Sequence, residues 1–155
     1  MPMSDLRKSI GYTIWANTEW LHFLTDNAVH DSNLLSRMSH ILLSEMVWFQ
    51  RIEGVAPDKD IWQLLTLPQM EELNSRHKPL YRRLLEEDAE RMISYKRLSG
   101  EEHQTAVSDI LMHLMVHGAH HRGQMATLAS KTGLKTINTD YITYCRKQDI
   151  KTKIL

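Results

Sequence analysis

A single cysteine, no net charge and no long apolar run are what this sequence most plainly lacks, and each absence removes a class of protein. Cys145 has no second cysteine to pair with and there is no Cys-x-x-Cys, which argues against a disulfide-stapled secreted scaffold and a dithiol redox motif. Lys plus Arg and Asp plus Glu both number 19, so no global field draws the chain to nucleic acid or to an anionic membrane. No apolar stretch approaches the roughly 20 residues that span a bilayer. The start Met1-Pro2-Met3-Ser4-Asp5 lacks the basic-then-apolar pattern of an export signal. The expectation is a cytoplasmic protein with neither a nucleic-acid nor a membrane partner.

Glycine and proline are also scarce, at 6 and 4 of 155 residues, while 42% are hydrophobic and 25% charged. That composition suits one helical globular domain over residues 1–155. The cations between Arg76 and Arg97 interleave with Glu86, Glu87, Asp88 and Glu90, as on a solvated helix face.

Apolar periodicity places the helices. Ser4 is a candidate N-cap for a helix to about Thr25, with Leu6, Ile10, Ile14, Leu21 and Leu24 on one stripe. A second helix runs from about Ser32 to Glu53, where Gly54 supplies a stop, and the short link between the two implies antiparallel neighbours. Residues 54–68 read as a loop pinned to the core by Trp62, Leu64, Leu65 and Leu67, and bordering a pocket. Pro68 fits the first turn of a third helix reaching about Ala89, which Pro79 should kink or break. A short hairpin follows over residues 92–104. Thr105 is a candidate cap for a fourth helix ending near Gly133, and a short terminal helix carries Tyr141, Tyr144 and Cys145. The fold class expected is all-α, an up-and-down four-helix bundle with a short hairpin and a terminal helix.

The fourth helix carries the most informative pattern, Val116-His117-Gly118-Ala119-His120-His121-Arg122-Gly123-Gln124. Side chains at i and i+4 bring their Cβ atoms to about 5–6 Å. Imidazole binds zinc at roughly 2.0–2.1 Å, so His117 and His121 can converge on one ion. Both share a face with Ile110, Leu114 and Leu128. An unpaired polar group there costs about 1–3 kcal/mol, so the rings need either hydrogen-bond partners or a ligated cation.

His113 extends the pattern but lies about 12 Å from His121 along the axis. Spacing alone allows His113 with His117, His117 with His120, or His117 with His121. A further ligand must come from another helix, and His40 is best placed, because Ser36 and Ser44 leave room beside it. Against it, His40 lies nearly opposite the main apolar stripe of its own helix. His22, His30, His77 and His103 have polar neighbours or loop positions and read as solvated.

Trp15-Ala16-Asn17, the stretch His40 to Arg51 with its Glu45 and Trp48, the element His113 to Gln124, and Thr139-Asp140-Tyr141-Ile142 together resemble the DinB/YfiT-like family. The resemblance spans most of the chain. It implies a four-helix bundle that commonly dimerises and a divalent metal held by His40, His117 and His121. Three imidazoles leave a coordination position open, as in a catalytic site, and a bound cation lowers the pKa of water or a thiol there. Zinc or nickel suits such ligands best.

Asn17, Glu45 or Gln124 could orient the rings by accepting from their second nitrogens; Glu45 otherwise reads as a surface acid or a buried ion-pair partner. The resemblance further suggests a transferase that activates a low-molecular-weight thiol cosubstrate against a small-molecule electrophile. A metal-dependent hydrolase and a noncatalytic metal-binding, stress-associated protein are the alternatives. No catalytic residue beyond the ligands is assignable.

Overall fold

Capping chemistry sets where most of the helices begin and end. The computed structural model describes residues 3–58, 60–97 and 99–154, with side chains for residues 5–58, 60–97 and 99–148. Helix α1 (Met3–Asp26) already contains Ser4, which is therefore not its N-cap, and the Ser4 side chain lies outside the described ones. Helix α2 (Ser32–Ile52) starts behind Asp31, whose Oδ1 accepts from the Leu34 amide at 2.9 Å. It stops at Gly54, whose φ of 72° is accessible at little cost only without a Cβ.

Helix α3 (Leu67–Glu86) opens on a capping box between Thr66 and Gln69, with Pro68 in the first turn where its missing amide costs nothing. It runs through Pro79 unbroken and ends three residues short of Ala89, because Glu87 turns extended. Strands β1 (Met92–Lys96) and β2 (Glu102–Ala106) pair antiparallel, from Met92 opposite Ala106 to Lys96 opposite Glu102.

Thr105 belongs to β2 and does not cap helix α4 (Val107–Lys131); the N-cap position is Ala106, which offers no side-chain bond. Tertiary carbonyls do the capping instead. The Val107 amide donates to Arg91 O at 3.1 Å and the Ser108 amide to Ala89 O at 2.7 Å, which satisfies donors every helix start leaves open. Helix α5 (Tyr141–Ile154) closes the chain. The segment before it is tied to α1, since the Tyr12 hydroxyl donates to Thr139 O at 2.9 Å and the Trp20 indole to Thr139 Oγ1 at 3.1 Å. The protein is thus mostly helical with one small sheet. Among the described residues no helix is long and apolar enough to cross a membrane.

The packing departs from the up-and-down order. Each of α1 and α2 packs against both α3 and α4, while α1 and α2 barely meet, so the two helices joined by the shortest link lie across a diagonal. Directions follow from which ends share a core. One apolar cluster joins Leu6 and Ile10 early in α1 with Phe49 and Ile52 late in α2, Leu84 and Leu85 late in α3, and Val107 and Ile110 early in α4. A second joins Leu21 and Leu24 late in α1, Leu34 and Met38 early in α2, Met70 early in α3, and Met125 and Ala129 late in α4. Helices α2 and α3 therefore run the same way, giving an up-down-down-up order. The physical reason is the connection between them, which returns along α2 as far as Ser39, where the Leu65 amide donates to Ser39 Oγ at 3.0 Å.

A polar layer of one residue per helix separates the two clusters. Arg122 Nη1 of α4 donates to Asn17 Oδ1 of α1 at 2.7 Å; Asn17 Nδ2 donates to Glu45 Oε1 of α2 at 2.8 Å; and His77 Nδ1 of α3 donates to Glu45 Oε2 at 2.8 Å. All four side chains are buried. A Cβ on Gly118 would lie 2.7 Å from Arg122 Nη1, so the glycine makes room for the guanidinium. Burial first, and then the Glu45 carboxylate, push the neighbouring Tyr81 phenol well above its ordinary pKa.

Removing one charge from such a layer strands the others in a low dielectric. Glu45→Ala should therefore lower unfolding free energy by about 3–5 kcal/mol, read from the urea midpoint at unchanged slope; a loss under about 1 kcal/mol, the range of an exposed pair, would refute the role given to the layer.

Candidate metal centre

The faces of α2 and α4 that meet each other carry the histidines. His40 Nε2 lies 3.2 Å from His117 Nε2, and His121 Nε2 lies 3.2 Å from the same atom. The ligand nitrogens of all three residues fall within 4.8 Å of one another. His40 and His121 are buried and His117 is half-buried.

The spacing suits a shared ion. Two nitrogens about 2.0–2.1 Å from one cation stand roughly 2.9–3.4 Å apart at right-angle to tetrahedral geometry. The outer ring nitrogens support the same reading. His40 Nδ1 faces the Ile61 carbonyl at 2.9 Å and His121 Nδ1 faces Gln124 Oε1 at 2.9 Å, so each Nδ1 carries the proton and each Nε2 presents a lone pair. His117 can offer at most one N–H between those two acceptors, which leaves the cluster short of protons and fitted to a cation. The residues present therefore fit a divalent metal.

Electrostatics keeps the rings in the ligand form. Burial is the main cause that lowers His117, to about 3, with the neighbouring His121, His40, His113 and His120 adding to it. Burial also lowers His40, opposed by the Ile61 carbonyl, and lowers His121, opposed by Gln124. Trp62 covers the outer side, its ring stacked on His40 at 3.7 Å between centroids and tilted by 7°. The Arg37 guanidinium in turn lies over the Trp62 ring at 5.3 Å.

Among the three spacings open within α4, the pair that meets His40 is His117 with His121. His113 meets Trp48 edge-to-face at 5.7 Å between centroids, and the exposed His120 contacts Gln124. His40 sits opposite the apolar stripe of α2, yet it is buried, because α4 and the returning 53–66 connection cover that side. Of the three residues considered for orienting the rings, Gln124 does so, while Asn17 and Glu45 serve the polar layer instead.

His22 and His30 are exposed, as expected, and His103 is half-buried against Tyr95 at 5.9 Å. His77 corrects the expectation: it is 2% exposed and bonded to Glu45. The signal was present, since Met70, Asn74, Tyr81 and Leu84 stand at helical spacing from it on the buried face of α3. The Ile61 carbonyl had no signal at all, because a backbone acceptor in a loop leaves no mark in a sequence.

This arrangement can be set beside known proteins. The family model described as the DinB family matches residues 17–153. The chain belongs to the DinB family. Protein DinB of Bacillus subtilis (strain 168) is 24% identical over 163 aligned positions, covering 92% of this chain and 95% of that protein. In this DinB-family chain the matched region contains all three clustered histidines, Gln124 and the polar layer.

The lowered pKa of His117 has a direction that can be checked in metal-free protein. Its folded value of about 3 lies below the ordinary 6.5, so on acidification the unfolded chain takes up the proton first. The folded state is therefore increasingly disfavoured as pH falls from 6.5 towards 3. A nitrogen-detected NMR titration of the metal-free protein should find the His117 ring neutral at pH 5; half-protonation near 6.5 would contradict the geometry.

Proposed function

We propose that this protein is a divalent-metal-dependent enzyme, with His40, His117 and His121 as the metal ligands, and that it transfers a low-molecular-weight thiol to a small-molecule electrophile. The observation that carries the reading is the pair of 3.2 Å approaches among three Nε2 atoms whose two outer partners leave them as acceptors. Zinc or nickel is the favoured ion. Such a metal supplies Lewis acidity that brings a nucleophile's pKa towards neutrality. Three protein ligands leave room for that nucleophile, which a closed structural site would not.

The chain's own contribution is positional. Gln124 and the Ile61 carbonyl hold two rings with Nε2 inward, and Trp62 shields His40 from water. The choice of a thiol draws its support from family resemblance. No residue among the described ones is assigned as a general base, and this makes hydrolysis the weaker alternative. A noncatalytic, stress-associated role would use the same ligands to stabilise the fold.

Gently purified protein should contain close to one equivalent of metal per chain by elemental analysis, and His40→Ala and His117→Ala should each abolish it. Gln124→Leu, which keeps every ligand, should weaken metal affinity by about 10–100-fold. Metal retained in full by His117→Ala would end the assignment. Loaded protein should consume alkyl and aryl electrophiles only with a thiol present. Turnover without thiol would favour the hydrolase, and inertness across a broad panel the noncatalytic role.

A homodimer is part of the same proposal. Exposed Val116, Tyr141 and Ile142 lie at or next to a groove of about 920 Å³ between α1, α4 and α5, whose lining includes none of the three histidines. Sedimentation should give two chains per particle at micromolar concentration, and a single chain across that range would remove the dimer.

A further inference from the structure

A second feature adjoins the histidines on the α2 side. Ser44, one turn beyond His40, begins a cavity of about 400 Å³ that reaches Arg51 and is walled by Trp48 and Trp62. It shares two elements with the histidine centre, since Ile61 accepts from His40 and Trp62 stacks on it. Along α2, Arg51 stands 7 residues beyond Ser44, about 10 Å of helix rise, and 11 residues beyond His40, about 16 Å. Helical side chains lean towards the N-terminus, so the Arg51 head is directed back along the cleft.

Arg51 is the unusual member. Its guanidinium carbon lies 4.7 Å from the Trp48 ring centre and 5.1 Å from that of Tyr95, and its Nε is buried with no hydrogen-bond partner. Among the described residues no carboxylate pairs with it. The other cations at the rim are matched, Lys96 by Glu102 at 3.1 Å and Arg97 by Glu101 at 3.5 Å. Asp60, the acid in the lining, is engaged in its own turn, accepting from the Trp62 amide at 2.9 Å. One guanidinium is thus held against two rings, partly desolvated, with no carboxylate among the described residues at ion-pair distance, while Asp60 lines the same cleft. Burial lowers its pKa, opposed by Tyr95 and reinforced by Arg97.

We propose that this cleft is a binding subsite for a small molecule bearing a carboxylate. Arg51 receives the carboxylate, Trp48 and Trp62 flank an apolar body, and the opposite end of the molecule faces the three histidines. A carboxylate suits it better than a phosphate dianion because Asp60 lines the same cleft and would repel a second negative charge, and the planar fork of a guanidinium fits two coplanar oxygens. The orientation towards the histidines rests on their reading as the metal centre; the anion subsite itself does not.

The test uses 4-phenylbutyrate and its uncharged counterpart 4-phenylbutanol, titrated calorimetrically into metal-free and metal-loaded protein. Wild type should bind the acid about tenfold or more tightly than the alcohol in both forms, as a charged hydrogen bond supplies. Arg51→Gln should erase the preference while metal content, measured separately, is unchanged. Arg97→Gln, at an exposed position, should only reduce it. Equal binding of acid and alcohol to wild type, or a preference that survives Arg51→Gln, overturns the subsite whatever the metal content. Inorganic phosphate displacing the acid at comparable concentration overturns the choice of carboxylate. Intact acid preference in a protein that takes up no metal would support the subsite and overturn the metal centre.

Discussion

A carboxylate buried between four helices is the constraint on which the rest of this structure depends. Glu45 is 1% exposed, and an isolated charge at such a depth is unstable by several kcal/mol unless it is met on all sides. Asn17 and His77 meet it directly and Arg122 meets it through Asn17, so each helix must present one particular residue at one level. A helix rotated by one residue, or slid by one turn, would leave the charge unpaired. The apolar clusters on either side tolerate small adjustments in packing; the polar layer does not, and so it sets the register of the bundle.

That register also sets the histidines. Arg122 and His121 are adjacent on α4 and point to different sides, so fixing the guanidinium in the core fixes the neighbouring imidazole at the α2 face. On α2, Glu45 stands five residues after His40 and bonds to α1 and α3, while His40 faces α4. The polar layer and the candidate metal centre are therefore two faces of one arrangement, with Gly118 required for the first and Gln124 for the second.

The 53–66 connection decides the topology and finishes the site. By returning along α2 it lets α3 run parallel to α2, and its Ile61 carbonyl and Trp62 ring close over His40 on the way. The same segment walls the cleft that leads to Arg51. One stretch without regular structure thus supplies a fold direction, a ligand-orienting acceptor and a cavity wall. Its anchoring through Trp62 and Leu65 was foreshadowed by apolar residues at otherwise loop-like positions, whereas its course was not.

Periodicity along single helices was legible from the residues alone: α1, α2, α4 and the hairpin stand close to where their apolar spacing puts them, and spacing left His117 with His121 as one of three possible chelating pairs. Resemblance named His40, which spacing had left open. The sequence by itself determined which side chains share a helical face, because that depends only on a rise and a rotation repeated from one residue to the next. Only the tertiary structure decided that α1 and α2 lie across a diagonal, that His77 and Glu45 are buried together, and that a loop carbonyl orients His40. The two side-chain contacts join residues 21 and 32 positions apart, and they are selected by the joint burial of charge and apolar surface, which no local pattern encodes.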